Sequence, residues 1–167
     1  MAALINGAAP LPLVSEYTDL ARQLQPNGFD LTVRDVAGIR AASGEAALGA
    51  SDEDRRLPEP HETDFHKDDW WRLSSGAYRI TFNEVVNLPR WLMALGRPRS
   101  SLLRMGVALH TAVWDAGYSG RSQALLVVHQ PGVLHLQRNA RVAQLVFLPL
   151  NGADALGYGG RYQGENL

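Results

Sequence analysis

The stretch VALHTAVWDAGYSGRSQALLVVH, residues 107–129, decides the fold class. Two apolar runs, Val107–Trp114 and Leu125–His129, flank the Gly-bearing turn Asp115–Gln123. Both runs are rich in strand formers and too short for a core helix. The same texture extends in both directions from Trp70 onward. Tyr78–Phe82 alternates polar and apolar, Val85–Leu88 leads to Pro89, Trp91–Leu95 is apolar, and Val133–Leu136 and Val142–Leu150 follow. Short strands every 8–12 residues with turns between them predict an all-β sandwich or barrel. No long helices alternate with them, so a parallel α/β sheet is not expected. Ser100–Met105, after Pro98, is one short helix candidate.

Upstream, Ser15–Leu24 reads as a short helix with Ser15 as N-cap. Pro26-Asn27-Gly28 marks a turn, and Phe29–Val36 alternates with the strand period of two. Residues 37–69 are rich in Ala, Gly and acids and read as an acidic loop or insertion. Residues 156–167 form a glycine-rich tail. The chain, 167 residues with 46% apolar content, has the size and the core of one domain.

Composition narrows the function classes. No run of apolar residues is long enough to span a bilayer as a helix. The segment Met1–Leu13 lacks a basic n-region and makes a poor signal peptide. A cytoplasmic protein is expected. Cysteine is absent, which removes disulfides, thiolate zinc sites and cysteine nucleophiles. The net charge of −1 argues against a nonspecific nucleic-acid binder. It hides a split: residues 1–69 hold 13 acids and 6 bases, residues 70–167 hold 4 acids and 10 bases. Fifteen of the 16 bases are Arg, whose planar fork suits oxyanions.

Three segments could carry chemistry. Gly96–Arg104 offers Arg99, Ser100, Ser101 and Arg104 at the start of the helix candidate, where an anion could be held. Trp114–Arg121 places Asp115, one of four acids in the later part of the chain, directly after an apolar run. A carboxylate is costly there unless it is used, although an Asx-type turn also fits. Tyr158–Glu165 can fold over a phosphate and a flat base, yet it lacks the context of a P-loop. His61 and His66 sit among acids with no recognisable ligand spacing. No H-x-H pair and no Gly-x-Ser-x-Gly elbow exist.

In order along the chain, Gln25–Val33, Pro98–Leu102, Thr111–Gly120, Arg141–Leu145 and Gly160–Glu165 resemble the motifs of the dUTPase / dCTP deaminase superfamily, most closely its archaeal-type dUTPases. The resemblance implies a distorted β jelly roll, the dUTPase-like β-clip, assembled as a homotrimer with active sites between subunits. It implies hydrolysis of dUTP to dUMP and diphosphate, with Mg²⁺ held mainly by the triphosphate and no direct protein ligand. Asp115 then matches the general base on the attacking water. Arg99, Ser100 and Ser101 match the phosphate-binding motif, with Arg104 after them, and Gln144 lies near the α-phosphate. Asp30 and Arg141 match a bracing pair, and Tyr118 an aromatic beneath the deoxyribose. Thr111 and Ala112 lie in the hairpin expected to read the base. Arg161, Tyr162 and Gln163 match the closing tail. The positive half is expected to gather around Asp115.

A dCTP deaminase shares Arg104 and Tyr162-Gln163-Gly164 with this pattern. Its reaction relies on a Glu at the position that Leu125 fills here, and Arg121–Val128 contains no carboxylate. Leucine cannot shuttle protons. A dUTPase without deamination is therefore expected. The alternatives are a dCTP deaminase or bifunctional deaminase/dUTPase, which Leu125 disfavours, and a noncatalytic nucleotide-binding jelly roll, since fold does not fix function.

Overall fold

The computed structural model describes residues 11–39, 45–63, 65, 68–151 and 157–167. Fourteen strands and two short α-helices are described in it. The strands are β1 (Val14–Ser15), β2 (Leu24–Gln25), β3 (Gly28–Gly38), β4 (His61–Glu62), β5 (Trp70–Leu73), β6 (Gly76–Phe82) and β7 (Val85–Asn87). They continue as β8 (Leu92–Pro98), β9 (Val107–His110), β10 (Val113–Trp114), β11 (Ser119–Gly120), β12 (Gln123–Val128), β13 (Leu134–Gln137) and β14 (Arg141–Pro149). The helices are α1 (Leu20–Gln23) and α2 (Ser100–Arg104).

The main sheet runs β10-β8-β14-β3-β6-β12-β9, with β2 and β4 also paired to β3. Smaller sheets are β1-β7-β11 and β13-β5. All pairings between these strands are antiparallel. The result is the expected all-β, distorted jelly roll.

The long strand β3 explains the distortion. Its first half pairs with β14, Phe29 opposite Leu145 and Asp30 opposite Gln144. Its second half leaves β14 and pairs with β6, from Val33 opposite Phe82 to Gly38 opposite Tyr78. The register shifts on both sides, at Arg141/Ala143 and at Val33/Asp35, as a strand changing partners requires. Packed on both faces, Phe29–Val33 is buried throughout rather than on alternate residues. The core collects Phe29, Leu31, Ile80, Phe82, Leu126 and Leu145, all fully buried.

Several sequence expectations need correcting. Ser15–Leu24 is not one helix. Val14–Ser15 pairs with Val85–Val86, and only Leu20–Gln23 is helical, capped by Asp19 rather than Ser15. The Gln23 side chain folds back and accepts from the Thr18 and Asp19 N–H groups, which satisfies donors at the start of the turn. Val107–Trp114 is two strands, broken at Thr111–Ala112, because β9 pairs with β12 while β10 pairs with β8.

Segment 37–69 is only partly loop. Its start belongs to β3, Glu62 and His61 pair with Ala37 and Gly38, and Ala47 bridges Arg56. Phe65 lies 4.9 Å from Trp71, and the Arg138 guanidinium sits 4.6 Å over the Phe65 ring. His66 and residue 156 of the tail fall outside the described residues.

Candidate functional site

The sheet order builds two groups of candidate residues. Pairing of β3 with β14 sets Asp30 opposite Gln144 and Thr32 opposite Arg141. Pairing of β14 with β8 sets Gln144 opposite Arg97, and the Arg99 N–H donates to the Val142 carbonyl at 2.9 Å. Asp30 is thereby enclosed between two guanidinium groups. Arg99 Nε and Arg141 Nη1 each lie 3.2 Å from its Oδ2. Arg141 also donates to the Arg22 carbonyl, and Arg99 Nη1 to the Arg141 carbonyl at 3.4 Å.

The Asp30 side chain is 3% exposed, while those of Arg99 and Arg141 keep 33% and 25%. The corner thus buries one negative charge and leaves two positive ones partly open to solvent. Burial pushes the Asp30 carboxyl above its usual range, opposed by Arg99 and then by Arg141. Ser100 and Ser101 follow on the exposed first turn of α2. Arg104 is exposed and donates to the Ser100 carbonyl at 3.2 Å.

The second group surrounds a cavity of about 160 Å³. Ala112, Asp115, Tyr118 and Tyr162 line it, together with Val113, Trp114, Ser122, Gln123, Tyr158 and Glu165. Asp115 is exposed at the end of β10, so the cost expected from its apolar run does not arise. Tyr118 is buried, meets Tyr158 edge-on at 5.8 Å, and donates its hydroxyl to Glu165 Oε1 at 2.9 Å. Burial raises the Tyr118 hydroxyl, as does the neighbouring Glu165 charge. Burial also raises the Glu165 carboxyl, with the Tyr118 bond acting against it. Trp114 Nε1 donates to Ser122 Oγ at 2.9 Å, which fixes the back of the cavity.

The tail is paired to the Asp115 turn of its own chain. Tyr158 N–H donates to the Ala116 carbonyl, Gly164 N–H to Ser119 and Arg121 N–H to Glu165. The Gln163 amide both donates to the Gly117 carbonyl and accepts from the Ser119 N–H. Gly117 has φ 86°, and a Cβ there would lie 2.8 Å from Gly157 Cα. Only glycine suits that backbone and that close approach.

Not every expected residue joins the cavity. Thr111 instead donates to the Gly96 carbonyl at 3.4 Å, and Arg161 is exposed. Leu125 lies outside the cavity lining, on β12 opposite Arg79 and His110. The positive half does not gather on Asp115 within one chain, since Arg99 and Arg141 enclose Asp30.

Trp114 and Gln144 pair with Ala94 and Arg97 of β8 respectively. Ordinary strand spacings then put Asp115 roughly 16 Å from Gln144 along the sheet. Tyr158 and Glu165 belonged to the quoted tail but carried no expected role. Glu165 was signalled by the scarcity of acids there, whereas Ser122 and Gln123 left no mark.

Comparisons with known proteins agree with the fold. The dCTP deaminase-like family model matches residues 13–150. A Methanosarcina mazei protein named "Probable deoxyuridine 5'-triphosphate nucleotidohydrolase" is 44% identical over 155 residues, 93% of this chain and 89% of that protein. An Archaeoglobus fulgidus protein of the same name is 47% identical over 155 residues, again 93% and 89%. Among solved structures, the dCTP deaminase of Agrobacterium tumefaciens superposes with TM-score 0.63 at 23% identity, over 83% of this chain and 44% of that one. A dUTPase of Staphylococcus bacteriophage 80alpha superposes with TM-score 0.51 at 14% identity, over 88% and 95%. These two structures speak for the fold alone. With the family match over most of its length and close archaeal relatives, the chain belongs to the dCTP deaminase-like family.

Proposed function

We propose that this protein is a dUTP nucleotidohydrolase, converting dUTP and water to dUMP and diphosphate. The observation that carries the reading is the tail-covered cavity with exposed Asp115 at its edge and buried Tyr118 in its wall. The names of the archaeal relatives supply the substrate. Asp115 is the general base: its carboxylate takes a proton from the water that attacks the α-phosphorus, as the bond to the bridging oxygen breaks and diphosphate leaves. Tyr118 supports the deoxyribose. Ala112, in the break between β9 and β10, faces the base, with Thr111 beside it bonded to the Gly96 carbonyl. Tyr162, Gln163 and Arg161 close the site.

Arg99, Ser100, Ser101 and Gln144 bind the phosphates, with Arg104 beside them, and Asp30 and Arg141 brace Arg99. Mg²⁺ would be held mainly by the triphosphate and would supply neutralisation of its charge. Among the described residues no group of acids or histidines is gathered to hold a metal ion, which fits an ion held by the substrate.

The separation of Asp115 from Gln144 and the Arg99 corner, roughly 16 Å on strand spacings, is too long for one α-phosphate to reach both. It supports a site shared between subunits, one subunit's phosphate corner meeting another's Asp115 cavity, in the homotrimer that the resemblance implies. The whole chain, 1–167, is one domain by this reading, working in the cytoplasm and needing neither nucleic acid nor membrane. Leu125 argues against deamination, because no carboxylate occupies its strand.

The test is paired assays for diphosphate released from dUTP and ammonia released from dCTP. The first is expected and the second is not. Asp115→Asn should lower turnover by about 10²–10⁴. Ammonia from dCTP, or full turnover by Asp115→Asn, would sink the assignment.

A further inference from the structure

Arg121 follows the Asp115 turn, is 4% exposed, and lies outside the cavity lining. Among the described residues it is nevertheless the one most heavily bonded to the tail. Its backbone N–H donates to the Glu165 carbonyl at 2.9 Å and its Nε to the Asn166 carbonyl at 3.0 Å. The Asn166 side-chain amide returns a bond to the Arg121 carbonyl at 2.9 Å. The rest of the guanidinium is tied down, Nη1 to the Asn83 carbonyl and Nη2 to the Glu16 carboxylate. One planar group thus joins the N-terminal segment, the β6–β7 turn and the last residues of the chain.

Two backbone conformations point the same way. Glu16 has φ 55° and Asn166 has φ 54°. Asparagine tolerates the left-handed region, but for glutamate it is strained and needs a compensating contact. The ion pair to Arg121 supplies that contact. Downstream, Glu165 carries the effect into the cavity, because its carboxylate accepts the Tyr118 hydroxyl.

We propose that Arg121 is a positioning residue that holds the C-terminal tail closed over the Asp115 cavity, with Glu16 as the carboxylate that fixes Arg121. Its effect on substrate rests on the proposed nucleotide site, while its hold on the tail does not.

The experiment uses the full chain and its Glu16→Gln, Asn166→Ala and Arg121→Gln variants. Glu16 and Asn166 are exposed, so their variants keep the fold if Arg121→Gln does not. Trypsin cleavage after Arg161 removes Tyr162–Leu167 and is read by intact mass. Glu16→Gln and Asn166→Ala should be cut about tenfold faster than wild type, the factor for loss of one such contact, at nearly unchanged Tm. With dUTP, KM should rise by a similar factor while kcat changes little. Wild-type cleavage rates in both variants would overturn the proposal. Faster cleavage in a protein that never hydrolyses dUTP would leave the hold on the tail standing and refute only the nucleotide reading. Faster cleavage with unchanged KM would refute the link from Arg121 to substrate.

Discussion

Glu84 shows how a single residue can be structural where its type suggests chemistry. It is fully buried at the β6–β7 turn. Its Oε2 accepts from the Thr32 N–H at 2.9 Å, and its Oε1 accepts from the Thr32 hydroxyl and the Gln23 amide, both at 2.6 Å. Gln23 also donates to the Asp30 carbonyl at 2.9 Å, so this network supports the backbone beneath the Arg99 corner. Burial raises the Glu84 carboxyl above the usual carboxylate range, against the lowering effect of those bonds. A raised folded-state value means that the native protein holds the proton more tightly than the unfolded chain. The stability this contributes is complete below the unfolded value and is lost as pH rises through the folded one. Glu84→Gln mimics the protonated form. Thermal unfolding should therefore show its Tm gaining on the wild type as pH rises from about 4.5. Glu84→Ala leaves three donors without their partner and should cost about 3 kcal/mol or more. Glu84 has no role legible in the sequence, and Asp30 takes its bracing role with Arg141 only through the family resemblance. Their partners, Gln23, Arg99 and Arg141, are far away along the chain.

At the scale of elements, the short helix α2 and the strands after Trp70 were readable because local pattern and tertiary role agree there. The first helix was misread because Ser15 has the chemistry of an N-cap yet pairs, with Val14, to β7. The alternation in β3 gave the right element and the wrong faces, since β3 is covered on both sides where it passes from β14 to β6. The tail was legible as a motif, but its bonding was not, because most of its partners are main-chain groups of the turn 115–121. Gly117→Ala tests that joint. The side chain would be strained at φ 86° and would press on Gly157. A cost of about 1–3 kcal/mol is expected, together with faster amide exchange at Tyr158 and Gly164, whose N–H groups donate to Ala116 and Ser119. Hydrogen exchange read by NMR checks this. Unchanged protection would show that the tail does not depend on the turn.

For the whole molecule, the charge split of the sequence acquires a location. Arginines from the positive half close on an acid from the negative half, Asp30, and leave Asp115 exposed on the other side of β8. If sites form between subunits, two dead variants can repair each other. Asp115→Asn and Arg99→Ala should each be nearly inactive, and mixed subunits should regain activity at sites that draw an intact residue from each. Light scattering should give about 55 kDa, three chains of 18.3 kDa. Mixtures that stay dead, with a monomer mass, would refute the shared site. The tail gives this assembly one more property. Tyr158, Gly164 and Glu165 attach through main-chain atoms, Gln163 and Asn166 add side-chain bonds, and every identical copy offers the same partners. The same bonds could be made by an adjacent copy without any change in contact energy. Choice between its own turn and a neighbour's then becomes a matter of effective concentration, not recognition. Subunit spacing, not side-chain chemistry, would set which turn each tail covers.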